Sequence, residues 1–190
     1  IIDLIEVLII EERIMIKLIN NKLVFNVIGF YICWWISIYG AIIEIYCIGP
    51  LVTILFILLH FFKVVDHHQE DIFLVICFFL GTFIETTLLN LNVIIHKGVL
   101  VEFNIAPIWA ISLWVCFGST VFHSFKWMSK QYLICAILGA LSSPIIYFSL
   151  KSLGVLSFGL GNAYVLMLTS MTWAVFIPIF IYISDKILES

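Results

Sequence analysis

Long apolar runs separated by short polar segments dominate the pattern along this chain. Each run covers about 17 to 25 residues, the length that an α-helix needs to cross the hydrocarbon core of a membrane. The runs predict six membrane-spanning helices, at about residues 22–45, 48–64, 72–92, 105–124, 132–150 and 160–184. The pattern therefore predicts an all-α fold, a polytopic membrane bundle of six transmembrane helices.

The second apolar run is the shortest of the six. From Pro50 to Lys63 it covers 14 residues, which span about 21 Å as a helix against a core of about 30 Å. Two alternatives follow. Either the helix begins before Pro50, or the link over residues 46–50 dips below the membrane surface, which is tolerated only where it is buried in protein or lines a cavity.

The composition excludes a soluble globular domain. Hydrophobic residues make up 64% of the chain and charged residues 11%, against about 25% charged in soluble proteins. No basic patch supports nucleic-acid binding. Four of the five cysteines lie inside predicted spans and none forms a C-x-x-C pair, so we interpret them as small buried hydrophobic residues, not disulfide or zinc ligands.

Lysine and arginine divide unequally between the two sides of the predicted bundle. Only Lys97 and Lys151 fall on one side. The other side holds Arg13, Lys17, Lys22, Lys63, Lys126, Lys130 and Lys186. Because cytoplasmic segments carry the excess of positive charge, both termini are predicted to be cytoplasmic.

The first 14 residues differ from the rest of the chain. They carry four acidic residues and precede the first methionine, Met15. Acidic residues oppose a signal peptide, whose first region is positively charged. We predict that residues 1–14 are an over-extended N-terminus and that residues 15–190 form one six-helix transmembrane domain.

Glu85 marks a candidate outer polar layer. It lies inside the third apolar run, where a carboxylate costs at least about 2.5 kcal/mol and normally faces a partner or a wet cavity. The candidate layer consists of Glu85, Thr86, Trp109 and Ser112. Two interpretations of Glu85 stay open: a proton carrier, cation ligand or general acid/base, or a protonated residue that locks two helices. Trp109 and Trp127 are typical of membrane-interface anchors.

A second polar layer is predicted near the cytoplasmic side. Its members are Asn26, His60, Thr120, His123 and Ser124. Two histidines at one depth suit a lipid headgroup, a metal or a proton, but a metal needs further ligands, which only residues 66–71 (Asp-His-His-Gln-Glu-Asp) offer nearby. We favour a solvated loop there and histidines at the membrane interface. No metal site or catalytic residue is assigned, and no cofactor is expected.

Two strings carry a family resemblance. They are Gly81-Thr-Phe-Ile-Glu-Thr-Thr-Leu-Leu and Ala106-Pro107-Ile-Trp109-x4-Trp114-x2-Phe117-x2-Thr120-x2-His123-Ser124-x2-Trp127. With them the chain resembles domain-of-unknown-function family 2878, uncharacterised small bacterial proteins, over about residues 20–185. The resemblance implies a multi-pass protein of the bacterial inner membrane. It also implies that the gene lies near genes for lipid-modifying enzymes. The family has no assigned activity, so the resemblance carries over no catalytic role.

Three hypotheses of function follow. The first is a protein that binds or handles membrane lipid as an accessory to a lipid-modifying enzyme, with that lipid and that enzyme as partners. The second is a small-solute transporter or a substrate-binding membrane subunit. The third, an intramembrane enzyme using Glu85 or His60 and His123, is less favoured because helix rise separates the two groups by more than about 10 Å.

Overall fold

Six α-helices build the protein in a computed structural model, which describes residues 2–65, 69–100 and 102–189, with side chains from residue 21 onwards. The helices are α1 (Ile2–Ile42), α2 (Ile48–Lys63), α3 (Glu70–Asn90), α4 (Ile108–Val121), α5 (Tyr132–Ser152) and α6 (Asn162–Glu189). The predicted all-α bundle with six helices is confirmed for these residues. Side chains before residue 21 lie outside the described part, and the start at Met15 stays a prediction.

Four helices are long and apolar enough to cross a membrane. They are residues 21–42 of α1, and α3, α5 and α6 in full. The helices α2 and α4 are apolar but have 16 and 14 residues, which correspond to about 24 and 21 Å. Four such apolar helices indicate a membrane protein, and the two shorter helices fall below the about 30 Å of a hydrocarbon core.

The helix α2 begins at Ile48, before Pro50. The first of the two alternatives for this run is therefore confirmed. Proline is tolerated in a first helical turn because its missing N–H would have no partner within the helix there. Close packing fixes this turn, since a Cβ on Gly49 would lie 2.4 Å from the hydroxyl of Ser37 on α1.

The helix α4 occupies the centre of the bundle. Eleven of its 14 residues are buried, and it contacts α1, α2, α3 and α6. The helices α5 and α6 pack along one another as an antiparallel pair. Among the described residues, many exposed side chains of α1, α2, α3 and α5 are large and apolar, as expected for surfaces that face lipid.

A short antiparallel ribbon closes one end of the bundle. Strand β1 (Ile94–His96) lies between α3 and α4, and strand β2 (Leu156–Phe158) lies between α5 and α6. They pair with Ile95 opposite Ser157 and His96 opposite Leu156. We call the end with this ribbon the outer end, and the end where α2 and α4 finish the inner end. The apolar pattern did not predict the ribbon.

Four of the five cysteines are buried, as the sequence predicts. Cys33, Cys77, Cys116 and Cys135 are buried, Cys47 is exposed, and all five are free thiols. Cys33 and Cys116 pack in one small apolar cluster with Phe56. These residues fill space between helices, as small hydrophobic residues do.

Candidate functional site

The inner end holds one carboxylate between two histidines. Glu70 is fully buried. Its Oε1 lies 2.6 Å from His60 Nε2, and its Oε2 lies 3.0 Å from His123 Nε2. The centroids of the two imidazole rings are 5.2 Å apart. One ligand atom from each of the three side chains lies within 4.8 Å of the others. We call His60, Glu70 and His123 the inner site.

Three chain segments meet to form this site. His60 lies in the last turn of α2, Glu70 is the first residue of α3, and His123 follows α4 by two residues. A carboxylate at a helix N-terminus also interacts favourably with the helix dipole. In the sequence, His60 and His123 are 10 and 53 positions away from Glu70. The site is therefore assembled from distant segments, at the point where α2 and α4 end.

Asn26 on α1 orients the inner site. Its Nδ2 donates to the backbone carbonyl of Ser119 at 3.0 Å and lies 3.3 Å from His60 Nδ1, while its Oδ1 accepts from the Ser124 hydroxyl at 2.8 Å. Because a carbonyl oxygen can only accept, the amide nitrogen must face Ser119. His60 Nδ1 is then an acceptor, so the ring proton sits on Nε2 and is donated to Glu70.

Four of the five predicted inner residues join this network. Asn26, His60 and Ser124 are linked directly, and His123 is linked through Glu70. Thr120 stays apart, because its hydroxyl donates to the carbonyl of Phe117 in the same helix at 2.6 Å.

The prediction of a solvated loop over residues 66–71 is wrong for Glu70. Asp71 is exposed as expected, but Glu70 lies inside the protein because two imidazole N–H groups replace its water. His60 also differs from prediction, since it lies at a helix end yet is fully buried. Residues 66–68 lie outside the described part of the chain.

The outer end holds a second buried carboxylate beside a histidine. Glu85 on α3 is 5% exposed. Its Oε1 accepts from Trp114 Nε1 at 3.0 Å and from the Tyr147 hydroxyl at 3.1 Å. Its Oε2 lies 3.2 Å from Nε2 of His96, the last residue of β1. That distance suits an ion pair, but Oε2 has no hydrogen-bond partner among the described residues. The other ring nitrogen of His96, Nδ1, is buried and has no hydrogen-bond partner among them either.

The other predicted outer residues do not bind Glu85. Thr86 accepts from the backbone N–H of Ala106 at 3.2 Å and lines an open groove of about 430 Å³, because adjacent helical residues point about 100° apart. Ser112 donates to the carbonyl of Trp109 in its own helix at 2.9 Å. The structure therefore brings together only some of the residues that were predicted to form the outer polar layer.

Glu85 and His96 together are called the outer pair. Trp109 lies next to this pair but is not an interface anchor. It is 1% exposed, its ring meets His96 edge-on with centroids 5.8 Å apart, and its N–H donates to the carbonyl of Lys97 at 2.9 Å. The prediction for Trp109 is wrong because the ribbon covers the start of α4. Trp127 is 56% exposed, which agrees with an interface position.

A third buried carboxylate, Asp185, stabilises the connection into α5. Asp185 on α6 accepts hydrogen bonds from the Ser129 hydroxyl, the Lys130 backbone N–H and the Tyr132 hydroxyl, at 2.6 to 3.0 Å. Two of these donors lie in the turn that leads into α5, and Tyr132 is the first residue of that helix. Asp185 thus fixes that turn, and we give it no further role.

Three residues of these sites were missed from the sequence, and Glu70 was considered as a metal ligand but assigned to a solvated loop. Glu70 carried a signal, since acidic residues in a first turn mark a helix start. Trp114 and Tyr147 lie among apolar residues and carried no signal of polar contact. His96 carried none either, because its burial depends on a strand partner about 60 positions away.

Chemically, the inner site offers two imidazole nitrogens and one carboxylate, which is a ligand set for a divalent metal. The outer pair offers one carboxylate and one imidazole with unpartnered atoms on each. Both can bind or release protons, because carboxylate and imidazole are the groups whose protonation enzymes and transporters most often use.

Comparison with known proteins identifies the family. No match was found among curated proteins or among solved structures. A family model described as Protein of unknown function (DUF2878) matches residues 23–179, a range that contains every residue of the inner site and of the outer pair. The chain therefore belongs to this family of unknown function, as the resemblance of its sequence strings predicts.

Proposed function

We propose that the protein binds a divalent transition metal ion at the inner site and engages a membrane lipid headgroup there, as a multi-pass protein of the bacterial inner membrane. The observation that carries the proposal is the full burial of Glu70 with a histidine nitrogen within 3.0 Å of each of its oxygens. Two histidines and one carboxylate bind zinc or iron(II) and leave further coordination positions open.

The protonation of the site changes when a metal binds. In the hydrogen-bonded arrangement, the protons on the two Nε2 atoms point at Glu70, and a metal must displace them. His60 then carries its proton on Nδ1 and needs an acceptor there. Rotation of the Asn26 amide supplies its oxygen, and the Ser124 hydroxyl can then accept from the amide nitrogen. This rotation breaks the hydrogen bond to the Ser119 carbonyl, which has to move away from the amide oxygen when the metal binds. Partners of this kind orient ligating histidines in metal sites.

Charge and burial also favour a cation at this place. A buried carboxylate needs a compensating charge or several hydrogen-bond donors. His60 in its neutral form donates one hydrogen bond to Glu70 but supplies no charge. A divalent ion supplies it. The His123 side chain is 13% exposed, which gives an ion an entry route from the inner end.

A lipid headgroup is the ligand class that the surroundings support best. Lys63 and Lys126 are exposed at the inner end, at the close of α2 and just after α4, where they can attract lipid phosphate. The short helices α2 and α4 end near the site and fall about 6 to 9 Å short of a hydrocarbon core. If all six helices cross the membrane with both termini cytoplasmic, the site lies recessed below the headgroups.

Metal analysis of the purified protein tests this proposal. We expect about one zinc or iron per chain, and at least about a tenfold lower affinity for added zinc in Glu70→Gln and His123→Ala. Glu85→Gln is the matched control, since it alters the same residue type on the same helix and should keep full metal content. Equal zinc affinity in the wild type and both inner variants would overturn the metal site.

Native mass spectrometry of the same samples tests the lipid. We expect a co-purified phospholipid that is depleted in His123→Ala and retained in Glu85→Gln. Retention in both would remove the lipid from the proposal and leave the metal. A lipid-modifying enzyme is the proposed protein partner, to be sought by co-purification with the wild type.

Transport of a small solute is a second candidate. The observation that favours it is the outer pair, because buried ionisable residues at both ends of one membrane helix are typical of ion or proton pathways. Uptake that is lost in both Glu70→Gln and Glu85→Gln would favour transport over lipid binding.

A further inference from the structure

The outer pair contains two buried polar atoms that nothing described in the protein satisfies. They are Oε2 of Glu85 and Nδ1 of His96. A buried polar group without a hydrogen-bond partner is destabilising, so two such groups at one place indicate that a ligand or a proton binds there. This pair is independent of the inner site, which lies at the opposite end of α3.

We infer that Glu85 and His96 bind one exchangeable proton in the outer half of the bundle. With that proton on His96, the pair is a carboxylate beside an imidazolium, and its net charge is zero. Without it, a carboxylate faces a neutral imidazole and the buried net charge is −1. Low-dielectric surroundings favour the neutral pair.

Two fixed donors allow the proton to leave. Trp114 Nε1 and the Tyr147 hydroxyl both donate to Glu85 Oε1, and hydrogen bonds to a carboxylate favour its charged form. These bonds do not depend on His96. The carboxylate thus stays stabilised when His96 loses its proton, so that both states of the pair are accessible.

Tight packing selects a proton over a larger ligand. Three side chains approach the carboxylate to between 3.0 and 3.2 Å. Beside it on α3, a Cβ on Gly81 would lie 2.3 Å from Trp114. The ring of Trp173 closes the site further, with its centroid 6.2 Å from that of Tyr147.

The titratable groups near the outer pair are a tyrosine and a partly exposed lysine. From α5, the titratable group that faces Glu85 is Tyr147, while α4 and α6 present Trp114 and Trp173. Directly after β1, Lys97 follows His96 but is 39% exposed and lies 3.6 Å from Glu44 at the surface. Among the described residues, His96 is therefore the cation partner of Glu85.

The ribbon gives the route for exchange. His96 belongs to a strand of three residues that pairs only with β2, and the neighbouring Lys97 is partly exposed. We expect water to reach His96 past this ribbon, since His96 is its last β1 residue and the next residue, Lys97, is 39% exposed. The proton is therefore exchanged with the outer side and not through the apolar centre of the bundle.

Nitrogen NMR of histidine-labelled protein in lipid nanodiscs tests the inference, with His96→Gln to assign the His96 signals. We expect His96 to gain one proton between about pH 9 and 5. In Glu85→Gln the midpoint should fall, because the anionic partner is gone. Glu44→Gln, an exposed outer carboxyl, is the matched control and should leave the midpoint unchanged.

A second variant guards against loss of fold in Glu85→Gln. Tyr147→Phe keeps the ring and removes one donor from the carboxylate, so the pair should hold its proton more tightly and the midpoint should rise. Signals of His96 that do not change over this pH range would overturn the inference. So would a midpoint that is the same in wild type, Glu85→Gln and Tyr147→Phe.

Discussion

Glu70 and Glu85 lie on one helix, about 22 Å apart by helix rise, and each carboxylate meets a histidine from another part of the chain. Between them the core is apolar and aromatic, with Trp114 stacked on Phe180 at a centroid distance of 5.5 Å and Phe117 edge-on to Phe180 at 5.9 Å. The helix α3 thus connects two polar sites that share no contact.

This separation predicts that the two sites contribute independently to stability. Glu70→Gln and Glu85→Gln should each lower the free energy of unfolding by about 1.5 to 3 kcal/mol, the range for hydrogen bonds to charged groups. The double variant should equal their sum within about 0.5 kcal/mol. Unfolding of all three variants in one detergent measures this. Glu70→Gln with His123→Gln is the control, since those side chains touch and should not add.

Acid should release a metal from the inner site. Protons compete with the metal for the Nε2 atoms of His60 and His123, so the affinity for zinc should fall as the pH falls from about 8 to 5. The expected loss is about tenfold per pH unit for each histidine that must lose a proton. Zinc titrations at several pH values measure this, and Glu85→Gln should follow the same curve. A zinc affinity that rises towards low pH would contradict coordination by histidine.

Much of the helical architecture could be predicted from the sequence because its cause is local. An apolar run of sufficient length forms a membrane helix whatever its neighbours do, so the six helices were found and Glu85 was recognised as buried. The apolar pattern predicts a third span from residue 72, whereas α3 begins at Glu70. The difference arises because charged residues next to an apolar run are expected in solvent.

The remainder depends on contacts between distant segments. The burial of Glu70 requires His60 and His123, which come from the ends of two other helices, and no pattern within a single helix records that they meet. The ribbon presents the same difficulty, since each strand has three residues and its partner lies about 60 positions away. Without it, neither the burial of Trp109 nor the position of His96 could be predicted.

Asn26 distinguishes a metal site from a hydrogen-bonded network. In Asn26→Asp the new carboxylate can accept hydrogen bonds from His60 Nδ1 and the Ser124 hydroxyl but no longer donates to the Ser119 carbonyl. With its proton on Nδ1, His60 points the lone pair of Nε2 towards the inner site. Such carboxylate–histidine–metal arrangements strengthen ligation, and changes to them alter affinity by about 10- to 100-fold. We expect zinc to bind at least about tenfold tighter and the metal-free protein to be less stable.

The measurement is zinc affinity together with thermal unfolding, with and without zinc. Asn26→Ala is the comparison, because it removes the orienting group without adding a carboxylate and should weaken zinc binding. If Asn26→Asp and Asn26→Ala bind zinc equally, Asn26 does not orient a metal ligand.

Gly81 tests the close approach of α3 and α4 beside Glu85. In Gly81→Ala the new Cβ would lie 2.3 Å from Trp114, and Trp114 cannot move freely because it stacks on Phe180 and donates to Glu85. Alanine gains up to about 1 kcal/mol in helix propensity, but overpacking costs about 1 to 3 kcal/mol, and the hydrogen bond to Glu85 is strained as well. The net effect should be destabilising by about 1 to 2 kcal/mol.

Gly161→Ala is the matched control, since its nearest contact, with Tyr164, would be 3.8 Å away. Its stability should stay within about 0.5 kcal/mol of wild type. Thermal unfolding of both variants in the same detergent decides the matter. A Gly81→Ala variant as stable as Gly161→Ala would mean that α3 and α4 are further apart than described, and the tight environment that restricts the outer pair to a proton would no longer hold.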